Sequence, residues 1–165
     1  MALECEVHHI PRGYGVLKSM NSTSKRIILA LLVVLALFVG LWAEAWPANF
    51  YSAFPGFGLH WVRTDGTYDE HLVRDVGGLY LGLGAASLAA IFARSASPGR
   101  TIGFGWTVFN VLHLGYHLLH LEGSTVDRVG NVATLSLVTA LGLFLLVPPR
   151  TGVIVVASSS KVASK

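Results

Sequence analysis

Four apolar runs, each close to the ~20 residues that a helix needs to cross a bilayer core, constrain this chain more than anything else in it: 27–46, 71–93, 101–121 and 129–147. In lipid the backbone must satisfy its own hydrogen bonds, so only helices or closed barrels span, and these runs lack the two-residue alternation of barrel strands. The sequence therefore predicts an all-α, four-transmembrane-helix bundle over 27–147, one membrane domain flanked by a cytoplasmic segment, 1–26, and a cytoplasmic tail, 148–165. Composition agrees. Charged residues make up 13% of the chain and hydrophobic ones 53%, against roughly 25% charged in soluble domains, which leaves too little polar surface for a soluble monomer.

The first run has a second reading. Lys25-Arg26 before it and Ala43-Glu44-Ala45 at its end fit a signal peptide with a small-residue cleavage site. The run is long for that, and Trp46-Pro47 suits an interfacial anchor, so it is read as a retained membrane helix. Met20, followed by the polar "NSTSKR", makes a natural start, with residues 1–19 an extension.

Lysine and arginine set the expected orientation. With the N-terminus inside, Arg12, Lys18, Lys25, Arg26, Arg94, Arg100, Arg150, Lys161 and Lys165 are cytoplasmic and only Arg63, Arg74 and Arg128 lie outside, nine against three. The positive-inside rule then puts both termini in the cytoplasm of a multi-pass plasma-membrane protein. The one long connection, 47–70, falls outside; Phe50, Tyr51, Phe54, Phe57, Trp61 and Tyr68 make it aromatic, and it is expected to lie as a lid over the outer end of the bundle. A net charge of +3 with scattered basic residues makes no nucleic-acid surface. The single Cys5 excludes an intramolecular disulfide and a cysteine-built metal site within one chain.

The third run ends in "HLGYHLLHLEG". At 100° per residue, His113, His117 and His120 fall within an arc of about 60° with Asn110 beside them. His113 and His120 are roughly 10 Å apart along the axis, too far for one ion to take all three histidines. At the same level the second run opens with "EHLVRD", placing His71, Arg74 and Asp75 on one face; Glu44, Glu70 and Asn131 sit at similar heights. Ionisable groups at such depth normally face partners rather than lipid. The expected site is His71, Asp75, His113, His117 and His120 for a metal, with His71 and His117 as cofactor ligands, for example axial ligands to haem. Arg74 and Asp75 are expected as an ion pair, and Asn110 and Asn131 as interhelical hydrogen-bonding groups. Gly78 and Gly82, a G-x-x-x-G face, are expected where helices touch.

Three functions fit such a cluster. Neutral imidazoles with carboxylates behind them suit a divalent metal or haem, hence a redox-linked site. Interhelical hydrogen bonding suits an accessory or structural subunit, partnered by another membrane protein or a second copy of the chain. A buried His/Asp chain suits a proton or ion pathway. Hydrolysis is disfavoured, as no H-E-x-x-H motif and no nucleophile elbow is present. Copper(I) is disfavoured too, because Met1, Met20 and Cys5 all lie before the first run.

The stretch "RDVGGLYLGLG", 74–84, resembles the R-x-x-G-G-x-x-x-G-x-G second-helix pattern of small bacterial membrane proteins of the DoxX-like kind, and "YDEHLVRD", 68–75, is similar to actinobacterial members of that group. The resemblance covers under a fifth of the chain and implies a compact four-helix bundle in the plasma membrane. Thiol-redox or quinone-linked partners are associated with some of the group; this chain has no membrane cysteine for thiol chemistry. The His113, His117 and His120 face lies outside the pattern, and no catalytic residue carries over.

Overall fold

A computed structural model describes residues 22–63 and 66–148. The Met20 start, Arg12, Lys18, Arg150, Lys161 and Lys165 among the orientation-setting basic residues, and the tail from 149 lie outside the described residues. Among those described the protein is helical, with five helices and one two-residue hairpin: α1 (Thr23–Ala45), α2 (Pro47–Ala53), β1 (Pro55–Gly56), β2 (Leu59–His60), α3 (Glu70–Phe92), α4 (Ser97–Leu119) and α5 (Thr125–Leu146).

Three of these, α1, α3 and α5, are long and apolar enough to cross a membrane. α4 has the same 23 residues as α1 and α3 but is not among the three, diluted by Ser, Arg, Asn and His. The outward faces are apolar as well as the inward ones, with Leu31, Val34, Phe38, Leu112 and Leu137 all exposed. A helix that is apolar all round fits lipid rather than water.

α1, α3 and α5 begin at polar caps rather than where the apolar runs begin. The Ser22 hydroxyl accepts from Lys25 N at 3.4 Å, and the Asp69 carboxylate from Leu72 N at 3.2 Å. Ser124 and Asp127 form a reciprocal capping box that starts α5 four residues ahead of the run 129–147. α4 likewise starts early, at Ser97 with Pro98 in its first turn, and stops at Leu119, leaving His120 as its C-cap. The side-chain caps of α1, α3 and α5 satisfy donors that a helix end would otherwise leave unpaired.

α1 packs chiefly on α3 and α4 on α5, with lesser contacts between α3 and α4 and between α1 and α5. The close approach of α1 and α3 runs along Ala36, Gly40 and Ala43 on one side and Gly77 and Gly84 on the other. A Cβ on Gly84 would stand 2.8 Å from Ala36 Cβ, and one on Gly77 3.1 Å from Ala43 Cβ. The expected Gly78/Gly82 face is corrected here: both are exposed, and a Cβ on Gly82 would meet nothing within 4 Å. Residues 73, 77, 80, 84 and 87 form the buried face of α3, while 71, 75, 78 and 82 form a face turned away from the protein. α4 meets α5 as closely at Gly103, where a Cβ would be 2.5 Å from Leu145 Cβ.

Polar atoms in the packed interior are tied down. The indole of Trp106, fully buried, donates to Ser87 Oγ at 2.9 Å, and Ser87 donates to Leu83 O at 2.7 Å, linking α4 to α3. At the opposite end from the α1–α3 connection, Lys25 is buried and its ammonium donates to the carbonyls of Leu145, at 3.1 Å, and Val147. A cation on the last carbonyls of α5 satisfies acceptors that the helix end exposes. Sequence reasoning placed Lys25 only as a flanking charge.

Candidate functional site

The chain between α1 and α3 folds back over the end where α1 and α4 finish and α3 and α5 start. α2 lays Phe50 and Phe54 against Trp42, with Phe50 and Phe54 ring centroids 4.6 Å apart. The hairpin turns at Gly56-Phe57-Gly58, all at positive φ, and holds Phe57 fully exposed at its tip. It is latched to α5: His60 N donates to Asp127 Oδ1 at 3.3 Å, and Trp61 lies on Gly130, where a Cβ would be 2.9 Å from its ring. Only glycine leaves room for that indole.

Beneath this aromatic cover lies a cavity of about 220 Å³. Its walls are apolar: Leu35 and Val39 from α1, Val73 and Val76 from α3, Leu135 and Val138 from α5, with Phe50, Phe54 and Trp61 as the roof. One side is polar, built by Asn110, His113 and His117 of α4 and Asn131 and Thr134 of α5; Tyr80 of α3 lines it too.

The polar side is a chain of contacts. Nε2 of His117 is 3.1 Å from Nε2 of His113, and its Nδ1 is 3.2 Å from Asn131 Nδ2. The Asn131 amide, placed with Nδ2 towards the ring, donates to His117 Nδ1. His117 is buried and His113 is half-buried, packed edge-on against Phe109 with ring centroids 5.4 Å apart. Asn110 is completely buried; its Nδ2 donates to Trp106 O at 2.7 Å, and its Oδ1 has no hydrogen-bond partner among the described residues.

The remaining residues of the expected site stand elsewhere. His71 and Asp75 form an i, i+4 pair at 3.4 Å with side chains 88% and 62% exposed, on the outward face of α3. They do not line the cavity. Arg74 bonds Glu70 Oε1 at 2.9 Å, donates to the Glu44 carbonyl and lies 3.6 Å from Glu44 Oε2; its partners are these two glutamates rather than Asp75. His120 is exposed, its Nδ1 3.0 Å from Tyr116 O and its ring on that of Tyr116. It borders a small recess with Trp61, Glu122, Asp127 and Arg128, of which His117 and Asn131 form the inner side.

The expected five-residue cluster is thus dispersed: His71 and Asp75 stand exposed on α3, His120 stands exposed at the end of α4, and only His113 and His117 stay together, beside Asn110 and Asn131. For His71 and Asp75 the cause is the rotation of α3. Gly77 and Gly84 let α1 come close, and that turns the His71/Asp75 face outward. Among the described residues no group of three or more His, Cys, Asp or Glu is placed to hold a metal ion. The cavity itself was not legible in the sequence, since its walls are ordinary aliphatic residues of three helices. No family model, no curated protein and no solved structure matches the chain.

Proposed function

We propose that this is a four-span protein of the plasma membrane, both termini cytoplasmic, that binds an apolar small molecule in a cavity at the outer-leaflet end of its helices. The observation that carries the reading is the cavity of about 220 Å³ with aliphatic walls, an aromatic roof and one hydrogen-bonding side. An apolar cavity of about 150 Å³ already admits a benzene ring, so a one-ring molecule is a suitable guest. Apolar walls with a few convergent polar groups are the general form of small-molecule sites. The span count is supported by three apolar helices and by the equal length of α4, which packs along α5 and buries Trp106. The likeness of 74–84 to the DoxX-like pattern belongs to the same reading.

Calorimetric titration of the purified protein in detergent with propylbenzene tests it. Saturable binding that is lost in Val138→Phe, a variant that fills the cavity while the melting temperature is kept, is the expected result. Linear partitioning, identical in both proteins, refutes the reading.

A second reading is favoured by one distance. Two Nε2 atoms 3.1 Å apart can share a divalent ion at about 2.1 Å from each, once the Asn131 amide is turned so that its oxygen accepts from His117 Nδ1, which makes His113 and His117 the pair to watch in a metal-dependent, redox-linked role. Haem held between His71 and His117 loses support, because His71 is on the outward face of α3.

A further inference from the structure

We propose that the molecule taken by this cavity carries a hydroxyl group, which donates its proton to Oδ1 of Asn110. The inference rests on the cavity reading and adds the chemistry of the guest.

Asn110 lines the cavity from α4 and is 0% exposed to solvent. Its amide cannot be turned over: Nδ2 bonds the Trp106 carbonyl at 2.7 Å, and reversal would set two acceptors against each other. The orientation is therefore fixed with Oδ1 as the unpartnered atom. A buried acceptor left unpaired is unfavourable, and native interiors nearly always supply a partner. Here none of the described residues does so, whereas Thr107 and Thr139, polar neighbours on α4 and α5, each bond a carbonyl of their own helix at 2.7 Å. A guest with an O–H directed at this acceptor pairs it; an otherwise equal guest without a donor leaves it bare. His113, one turn on from Asn110, lines the same polar side, so that a small polar head is held there while the apolar body meets Val73, Val76 and Val138.

The test compares two isomers, para-ethylphenol and para-methylanisole, with propylbenzene as the apolar reference, each titrated calorimetrically into the full-length protein in detergent. The phenol donates; the anisole, of the same formula, only accepts. The expected result is that the phenol binds about tenfold more tightly than the anisole, the factor that one such bond is worth. In Asn110→Leu this ratio falls to near one while propylbenzene still binds, and in Tyr80→Phe, which removes the wall hydroxyl contributed by α3, the ratio is kept. Equal binding of both isomers to the unaltered protein overturns the inference and leaves the cavity reading standing. A ratio that survives Asn110→Leu, or that collapses in Tyr80→Phe alone, overturns the assignment to Asn110. Saturable binding by none of the three compounds overturns the inference and the cavity reading together. The isomer ratio in the unaltered protein needs no variant, so the inference stays testable if Asn110→Leu does not fold.

Discussion

His117 uses both nitrogens of its ring, one along its own helix and one across to the next: Nε2 lies 3.1 Å from His113 Nε2 on α4, and Nδ1 lies 3.2 Å from Asn131 Nδ2 on α5. The polar side of the cavity depends on this residue, because its ring links His113 to the Asn131 amide.

Replacing His117 by alanine removes both bonds and leaves Asn131, half-buried on α5, without this partner. We expect a loss of about 1–3 kcal/mol, the effect of unpairing a buried polar group, read as a lower melting temperature in detergent. His71→Ala, on an exposed side chain, should leave the melting temperature unchanged. Elemental analysis of the same preparations decides the second reading. A stoichiometric metal present in the unaltered protein and in His71→Ala but absent from His117→Ala supports a metal on the His113–His117 pair; no metal in any of them removes it.

Two glycines of α3 should behave oppositely. At Gly84 an added methyl group would stand 2.8 Å from Ala36 Cβ, whereas at Gly82 it would meet nothing within 4 Å. Gly84→Ala is expected to cost about 1–3 kcal/mol through forced separation of α1 and α3. Gly82→Ala should be neutral or mildly stabilising, since alanine favours the helix. Equal effects of the two would show that Gly84 is not at a close helix contact, and the reverse order would put Gly82 there.

Lys25→Met keeps the length and apolar stem of the side chain but removes the ammonium that the Leu145 and Val147 carbonyls share. The expected result is fraying of the last turn of α5, at about 1–3 kcal/mol for the loss of a charge-assisted bond. Faster amide exchange should appear at the C-terminal end of α5 and not at its capped start. Uniform exchange along α5 would show that the ammonium does not hold that end.

The orientation can be read by labelling. The chain has one cysteine, Cys5, so Cys5→Ser provides a cysteine-free background for Phe57→Cys, at the exposed hairpin tip, or Arg94→Cys, between α3 and α4. In intact cells a membrane-impermeant maleimide should label the first and spare the second. The reverse pattern would turn the protein over, and labelling of both would break the four-span arrangement.

Much of the fold was legible because lipid imposes simple rules. Twenty-residue apolar runs mark α1, α3, α4 and α5 to within a few residues, and the discrepancies lie at the ends, where Ser22 and Ser124 set the start by capping, and Pro98 in the first turn of α4 by its fixed φ, rather than by hydropathy. The i, i+4 spacing of His113 and His117 placed them side by side on one helix, and they are. The division of the polar cluster was not legible. His71 and Asp75 share a face of α3, but periodicity gives relative angles only, and it does not say which face turns towards α1.

The sequence by itself determined the apolar helices, their order and the alignment of polar residues along each one, because these depend on local spacing and on the need to satisfy the backbone in lipid. The tertiary structure decided which of those residues meet. The contact of Gly77 and Gly84 with Ala36, Gly40 and Ala43 sets the rotation of α3, turning Tyr80 inward and His71 outward. The cavity beside Asn110 is what remains between α1, α3, α4 and α5 once that rotation is set, a matter of shape between helices that no single segment encodes.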